Sequence, residues 1–539
     1  MNTPYLKRLA LAAAASFFLA APAAAAPVGA AATIEAVATA ALSAPPAARP
    51  YDERNWLQRF YAPRGYAPAW SEHSAKLALA LLDGAEAHGL SPAEYRTEAL
   101  RAQLGNGGVG EPRFDTALTR AMLHYLADLR VGRVTSEFHT TLPDPRLHSF
   151  DPVVQLRAAL DGGGLAAAVA AAQPAFPFYE RVKDALAHYR ALAATGQQSA
   201  LPFAAKLRAG DPYAAAAQLR ERLVLLGDLP PDSAGADDDA YTPALAEGVR
   251  HFQLRHGLEA DGVLGKETMA ALNVPLSRRV RQLELTLERL RWLPALGPGR
   301  VIAVNLPAYR LWALDIGGTG PQAAPLEMRV IVGESVKTPT PLFIGQMRYL
   351  EFNPYWNVPS SIALGELLPK LMRDRGYLAR HDMELVGAGL ATPATTVTDA
   401  SLAALRAGKL RVRQRPGPKN ALGAVKFAMP NPMNIYLHST SQRELFARNR
   451  RDLSHGCIRV EKPLELAHFV LGDQPEWTFD SVAAAMAPGP MRKVKLSAPI
   501  PVVLFYATAM VDRDGSVLFP RDIYRRDLAL EQALRIHQS

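Results

Sequence analysis

Along residues 51–208 apolar side chains return every three to four positions, the spacing that lines one face of an α-helix. In 74–89 the stripe is Leu77, Leu81 and Ala85, and in 114–131 it is Leu118, Met122, Tyr125 and Leu129. Gly- and Pro-bearing stretches at 105–112, 141–145 and 162–164 break the pattern into separate helices. No chemistry-bearing cluster stands out, so 51–208 reads as a helical scaffold domain. A smaller helical unit is expected at 209–275, with helices over 213–226, 242–256 and 266–272. An Asp261-Gly262 turn, flanked by Gly257 and Gly265, separates the last two. A connecting helix follows within 276–299, with Val280, Leu283, Leu285 and Leu290 set among arginines. After Gly299 the period shortens. Segments 301–306, 309–314, 327–332 and 346–352 are short and β-branched or alternating, and the pattern recurs at 502–507. The third domain, 300–539, is therefore expected to be mainly β, interrupted at 354–410 by a helical or irregular insertion in which 362–373 is helix-like.

The N-terminus has a different grammar. Lys7 and Arg8 precede an apolar run over 9–20, and Ala- and Pro-rich sequence continues to Ala26. That order of charge, apolar core and small residues is a secretory signal, expected to be removed at about residue 26. An uncleaved inner-membrane anchor is the competing reading, because alanines crowd every possible cleavage site. Residues 27–50, rich in Ala and Pro, read as a flexible linker. The expected compartment lies outside the cytoplasm.

The 539 residues carry 49% apolar and 21% charged side chains, normal for globular domains, with a formal charge of +9. A positive balance favours anionic partners. The Lys and Arg residues are scattered, however, and no nucleic-acid-binding signature is present, which leaves a carboxylate-bearing substrate as the better fit. One cysteine, Cys457, excludes an intramolecular disulfide framework. A lone thiol in an exported chain is either buried and inert or in use.

Its surroundings favour use. Ser454-His455-Gly456-Cys457-Ile458-Arg459 sets the thiol behind a glycine that lets a substrate backbone approach, on a turn whose N–H groups can face a developing oxyanion. A thiol of ordinary pKa needs a base beside it. The strand-like run Ile435-Tyr436-Leu437-His438 supplies one, with fifteen residues between His438 and Ser454. A zinc site from His438, His455 and Cys457 is the alternative use of these ligand types, but no second Cys supports it. No metal or cofactor is expected.

His438 followed by Ser454-His455-Gly456-Cys457 resembles the signature of L,D-transpeptidases, the YkuD-type catalytic domain. Gln414, Gly417, Asn420, Gly423, Lys426 and Phe427 before the His, and Thr440, Leu445 and Phe446 after it, agree with the resemblance. The order of scaffold, small helical unit and catalytic domain with an insertion resembles the large Gram-negative periplasmic subtype, so the resemblance implies the periplasm. It further implies Cys457 as nucleophile, His438 as general base, Ser439 orienting the imidazole through its carbonyl, and Gly456 and Cys457 N–H groups, with His455 nearby, as oxyanion hole. Arg459 stands where many members carry Asn, and either binds a substrate carboxylate or braces the turn. Tyr436, Trp356, Ser454 and Asn420 are candidate substrate contacts. Within 209–275, Phe252, Gln253, His256, Gly257, Asp261, Gly262 and Thr268 resemble a three-helix peptidoglycan-binding domain. A unit that keeps that form without binding glycan is the alternative. The implied reaction is acyl transfer between peptidoglycan stems, giving 3→3 cross-links, with the insertion as a lid. Other wall-synthesis enzymes are possible partners. Water as acceptor would give an L,D-carboxypeptidase instead, and a non-catalytic wall-binding protein is the rival from another class.

Overall fold

The computed structural model describes residues 28–538 except 44–49, 136, 138, 141–149, 197, 203–205, 234–238, 319–324 and 388–389. The secretory signal expected at 1–26 and the helix break expected at 141–145 lie outside the described residues. No helix among the described residues is long and apolar enough to cross a membrane.

The scaffold is built around the helix Pro112–Val131, whose Leu118, Met122, Leu126 and Leu129 are fully buried. Buried Asp115 accepts hydrogen bonds from the Tyr61 hydroxyl (2.6 Å) and from the Ala69 and Trp70 N–H groups, tying the preceding loop to this helix. The linker expected at 27–50 needs correction. It carries the helix Val28–Leu42, with Ile34 and Ala38 fully buried in the scaffold core. Alanine is the best helix former, and Ile34 and Ala38, four residues apart, present one apolar edge.

The second unit has helices Ala216–Leu225, Pro243–Arg255 and Lys266–Leu272. Its characteristic residues hold the turn between the last two. The buried Gln253 amide donates to Asp261 (3.1 Å), to the Val263 carbonyl and to Thr268, while its oxygen accepts from Gly262 N–H (2.9 Å).

The connecting helix Leu276–Leu290 is the spine between units. Its Glu288 is fully buried between Arg291 (2.8 Å) and Arg133 of the scaffold (3.2 Å), and both cations hold the carboxyl below its usual range against the cost of burial. Arg289 pairs with Asp527 (2.5 Å) at the start of the C-terminal helix Arg526–Gln538. Phe519 locks the second unit to the third. Its N–H donates to the Arg255 carbonyl (2.8 Å), its ring stacks on His256 (5.6 Å), and Arg279 lies 4.8 Å above the ring.

The third domain contains one large sheet. A short strand β1 (His139–Thr140) from the scaffold side joins β2 (Gly299–Asn305), β3 (Arg310–Ile316), β4 (Leu326–Gly333) and β5 (Phe343–Phe352). The insertion carries β6 (Trp356–Asn357), β7 (Met383–Gly387) and β8 (Leu410–Gln414), and after it come β9 (Val425–Ala428), β10 (Leu437–His438), β11 (Asp452–Ser454), β12 (Ile458–Val460) and β13 (Arg492–Phe505). The strand order is β1-β5-β13-β2-β3-β4-β12-β10-β9, and β9 also pairs with β5, so the sheet closes on itself. Alternate residues face inward, where Leu350, Phe427, Leu437, Ile458 and Val502 form the core with helix residues Leu466 and Val470. The others face outward.

The insertion expected to be a helical lid is an α/β subdomain, and it runs past residue 410. Strands β6 (Trp356–Asn357), β7 (Met383–Gly387) and β8 (Leu410–Gln414) form a separate three-stranded sheet in the order β6-β8-β7. Its own core includes Leu371, Leu378, Leu385 and Val412. The helix over 360–373 contains a π-turn at Ala363–Leu367. Pro369 lacks an N–H and cannot join the regular hydrogen-bond ladder, a standard cause of such a wide turn.

Candidate active site

Two short parallel strands bring the candidate residues together. Leu437 pairs with Ile458 and His438 with Arg459, and one step back the Tyr436 carbonyl accepts from Ile458 N–H (3.1 Å), which sets Tyr436 beside Cys457. Because side chains alternate along strands, Tyr436, His438, Cys457 and Arg459 all share the outer face. Their partners Leu437 and Ile458 fill the core.

His438 is buried, and its Nδ1 lies 2.6 Å from the Ser439 carbonyl. A carbonyl only accepts, so Nδ1 carries the proton and Nε2 keeps its lone pair. Burial, aided by the Arg459 cation, pushes the imidazole pKa down to about 3, so the ring is neutral at physiological pH. The Cys457 thiol is half-buried and lies 3.5 Å from the Asn434 carbonyl. Burial raises its pKa, while hydrogen bonds from Tyr436 and the Lys426 and Arg459 cations pull the other way. The resting pair is therefore a neutral thiol and a neutral imidazole. A neutral imidazole is chemically able to take a proton from a thiol that attacks a carbonyl.

The turn before Cys457 is held from below. Gly456 adopts φ +110°, a conformation that side-chain-bearing residues rarely take. Fully buried Thr340 donates to the Gly456 carbonyl (2.8 Å) and accepts from Gly333 N–H (2.8 Å). The Tyr524 hydroxyl donates to the Gly333 carbonyl (2.8 Å) and accepts from Thr340 N–H (3.2 Å). Thr338 donates to the Ser454 carbonyl (2.9 Å). With the Gly456 carbonyl held by Thr340, the N–H across the same planar peptide, that of Cys457, points the opposite way. No hydrogen-bond partner for that N–H occurs among the described residues.

Three expected roles are corrected by this geometry. The Gly456 N–H donates to Ser454 Oγ (3.2 Å), so of the two amides expected in the oxyanion hole only that of Cys457 is left free. Ser454 is buried and also donates to the Cys457 carbonyl (2.5 Å), which makes it a brace of the turn and not a substrate contact. Asn420 is buried, and its amide donates to the Pro354 and Arg415 carbonyls (both 2.9 Å) while its oxygen caps Leu422 N–H. It shapes the loop below the strand and has no face for substrate.

The remaining candidates are spread around the thiol. His455 is exposed, and its Nε2 lies 2.6 Å from Glu366 on the π-turn of the insertion. Arg459 is half-buried and donates to Gln442 (2.7 Å). Tyr436 packs edge-on against His438 at 5.7 Å, and its hydroxyl bonds to Trp356 at the edge of the insertion's sheet. His468 sits away from the site, packed edge-on against Phe479 (5.6 Å). Thr340, Tyr524, Glu366 and Gln442 escaped the sequence reading, since none falls in or near the Cys motif. No group of three His, Cys, Asp or Glu side chains able to hold a metal occurs among the described residues.

Comparison with known proteins gives three domain matches. Residues 299–495 match the family described as the L,D-transpeptidase catalytic domain, 55–186 a scaffold domain, and 213–272 a family described as "Putative peptidoglycan binding domain". A protein of Haemophilus influenzae named "Putative L,D-transpeptidase" is 34% identical over 288 residues, 51% of this chain and 55% of that protein. The chain thus spans about half the length of this curated relative. Residues 299–495, a closed β-domain that sets Cys457 and His438 on one face, are thus similar to the L,D-transpeptidase catalytic domain, and 213–272 to the peptidoglycan-binding domain.

Proposed function

We propose that this chain is an L,D-transpeptidase that forms 3→3 peptidoglycan cross-links through a Cys457 thioester. The observation that carries the reading is the register that sets His438 and Cys457 on one outer face of adjacent parallel strands, with His438 Nδ1 tied to the Ser439 carbonyl. Cys457 attacks the carbonyl between the third and fourth residues of a tetrapeptide stem. The sulfur–carbon bond forms, the thiol proton passes to His438, and the carbonyl oxygen becomes an oxyanion facing the Cys457 N–H. Collapse breaks the carbon–nitrogen bond, and the proton on His438 leaves with the terminal D-amino acid. The side-chain amine of a second stem then attacks the thioester, gives its proton to His438 and restores the thiol.

The α/β insertion serves as the lid, contacting the motif through Glu366 and His455. A closed lid excludes water and favours the amine acceptor over hydrolysis. The 213–272 unit supports peptidoglycan as the partner, and the N-terminal sequence supports export to the periplasm. The test is mass analysis of muropeptides after expression in a host lacking 3→3 links. New 3→3 dimers are expected, dependent on Cys457. Tripeptide products without dimers would establish a carboxypeptidase, and an unchanged profile would leave only wall binding.

A further inference from the structure

The outer face of the sheet does not end at Cys457. Following the strand registers away from the thiol, Arg459 pairs with His438, His438 with Lys426, Lys426 with Glu351, and Glu351 with Lys493. Directly opposed residues in paired strands point to one face, so these five side chains form a single row across β12, β10, β9, β5 and β13. A second row runs beside it, in which Cys457 and Tyr436 stand at one end and Tyr349 faces Lys495 at the other. The rows cross four interstrand gaps, about 19 Å in all.

The composition of this face is uneven. Lys426 is neutralised by Glu351 (3.2 Å) and lies 4.7 Å above the Tyr436 ring. At the far end Lys493 and Lys495 are exposed, and Lys493 stands 3.7 Å above the Tyr349 ring. Neither far lysine is paired with a carboxylate among the described residues. Two lysines on an outward sheet face, one of them over an aromatic ring, leave a positively charged end on this face.

We propose that this face is the track along which the acyl donor lies, from the reacting carbonyl at Cys457 to an anionic, sugar-linked end at Tyr349, Lys493 and Lys495. The inference rests on the acyl-transfer reading above. If the reacting carbonyl belongs to the third residue of a stem, the extended residues behind it cover about 10 Å at roughly 3.3 Å each. About 9 Å of the track then remains for what the stem is attached to. Tyr349 offers a flat apolar surface there, and Lys493 and Lys495 meet anionic groups carried by that attached part, beyond the stem's own residues. The track therefore selects donors by charge and by attachment to a sugar, at a distance from the chemistry.

The test uses the purified full chain with two donors, a disaccharide-linked tetrapeptide and the free tetrapeptide, and compares wild type with Tyr349→Ala, Lys493→Ala and Lys493→Glu. Lys493→Ala should raise KM for the sugar-linked donor about fivefold with kcat unchanged, as for loss of one exposed ionic contact, and Lys493→Glu more. Tyr349→Ala should raise KM for the sugar-linked donor and leave the free tetrapeptide unaffected. The rate at which a carbapenem acylates Cys457, a reaction too small to reach the far end, should be the same in all four proteins. Unchanged KM in both lysine variants would overturn the track, as would a parallel fall in carbapenem acylation, which would place the effect at the thiol. Failure of the wild type itself to form a thioester with donor or carbapenem would instead overturn the acyl-transfer reading beneath it.

Discussion

Replacing Thr340 with valine removes one hydroxyl and keeps the shape. The side chain is fully buried and makes two hydrogen bonds, to the Gly456 carbonyl and from Gly333 N–H, both 2.8 Å. Valine leaves both backbone groups buried and unpaired, a cost of about 1–3 kcal/mol each. Local relaxation reduces the sum, so we expect a loss of about 2–4 kcal/mol in unfolding free energy by chemical denaturation. The kinetic effect is more specific. The Gly456–Cys457 peptide plane is free to rotate once Thr340 lets go, because Gly456 already sits where only glycine is at ease (φ +110°). Loss of one oxyanion donor costs on the order of 10²–10³-fold in rate, which bounds the effect from above. Acylation by a carbapenem, followed by intact-protein mass spectrometry, should therefore slow at least about tenfold. Alkylation of Cys457 by iodoacetamide passes through no oxyanion and should stay within about twofold of wild type. Thr340→Ser keeps the hydroxyl and should restore acylation. Equal loss of alkylation and acylation, or acylation unchanged in Thr340→Val, would refute the reasoning.

Four further outcomes follow from the site. His438→Ala should fold and slow acylation by on the order of 10²–10⁴-fold in stopped-flow measurements, and a near-normal rate would move the base elsewhere. A carbapenem should leave a stable adduct on wild type and none on Cys457→Ser, penicillins reacting poorly; an active Cys457→Ala protein would remove the nucleophile. Glu366→Ala, which frees the insertion from His455, should raise the ratio of hydrolysed to cross-linked product about two- to fivefold by chromatography, and an unchanged ratio would end the lid idea. Finally, His88 and His438 are both held neutral by burial, with pKa values pushed down to about 3. Below pH 6.5 the unfolded chain takes up protons that the native fold refuses until about pH 3, so stability falls as pH drops through that window, by up to about 1.4 kcal/mol per pH unit for each histidine. Denaturation midpoints equal at pH 7 and pH 5 would contradict the burial of neutral rings.

Much of this architecture was legible because its signals are local. The three helices of the second unit and the connecting helix lie within a few residues of where the apolar period places them. The Cys motif and its distant His were readable because the chemistry needs those residue types. The insertion reads as helical or irregular because Ile362, Leu367, Leu368 and Leu371 recur at helical spacing, while its strands are short and lie far apart in sequence. No local period announces a pairing between residues 356 and 414. Thr340 was invisible for the same reason, as its value comes from a contact with a residue 116 positions away. Ser454 and Asn420 were misread in the opposite direction. Polar residues beside a motif look available for substrate, and only the fold reveals that the backbone has already claimed them.

On the proposed function, the lock at Phe519 bears on how a polymer would be met. With the Arg255 carbonyl and the His256 ring of the second unit, and Arg279 of the connecting helix, all engaging one residue of the third domain, the second unit is not on a leash. A leash would raise the local concentration of any nearby stem and leave the choice among them to chance. A fixed mount works as a ruler. Glycan gripped at the second unit would present stems only at the offset the mount dictates, so cross-links would fall at a set interval from the point of attachment. Loosening Phe519 would then change where along a strand the links appear before it changed how many are made.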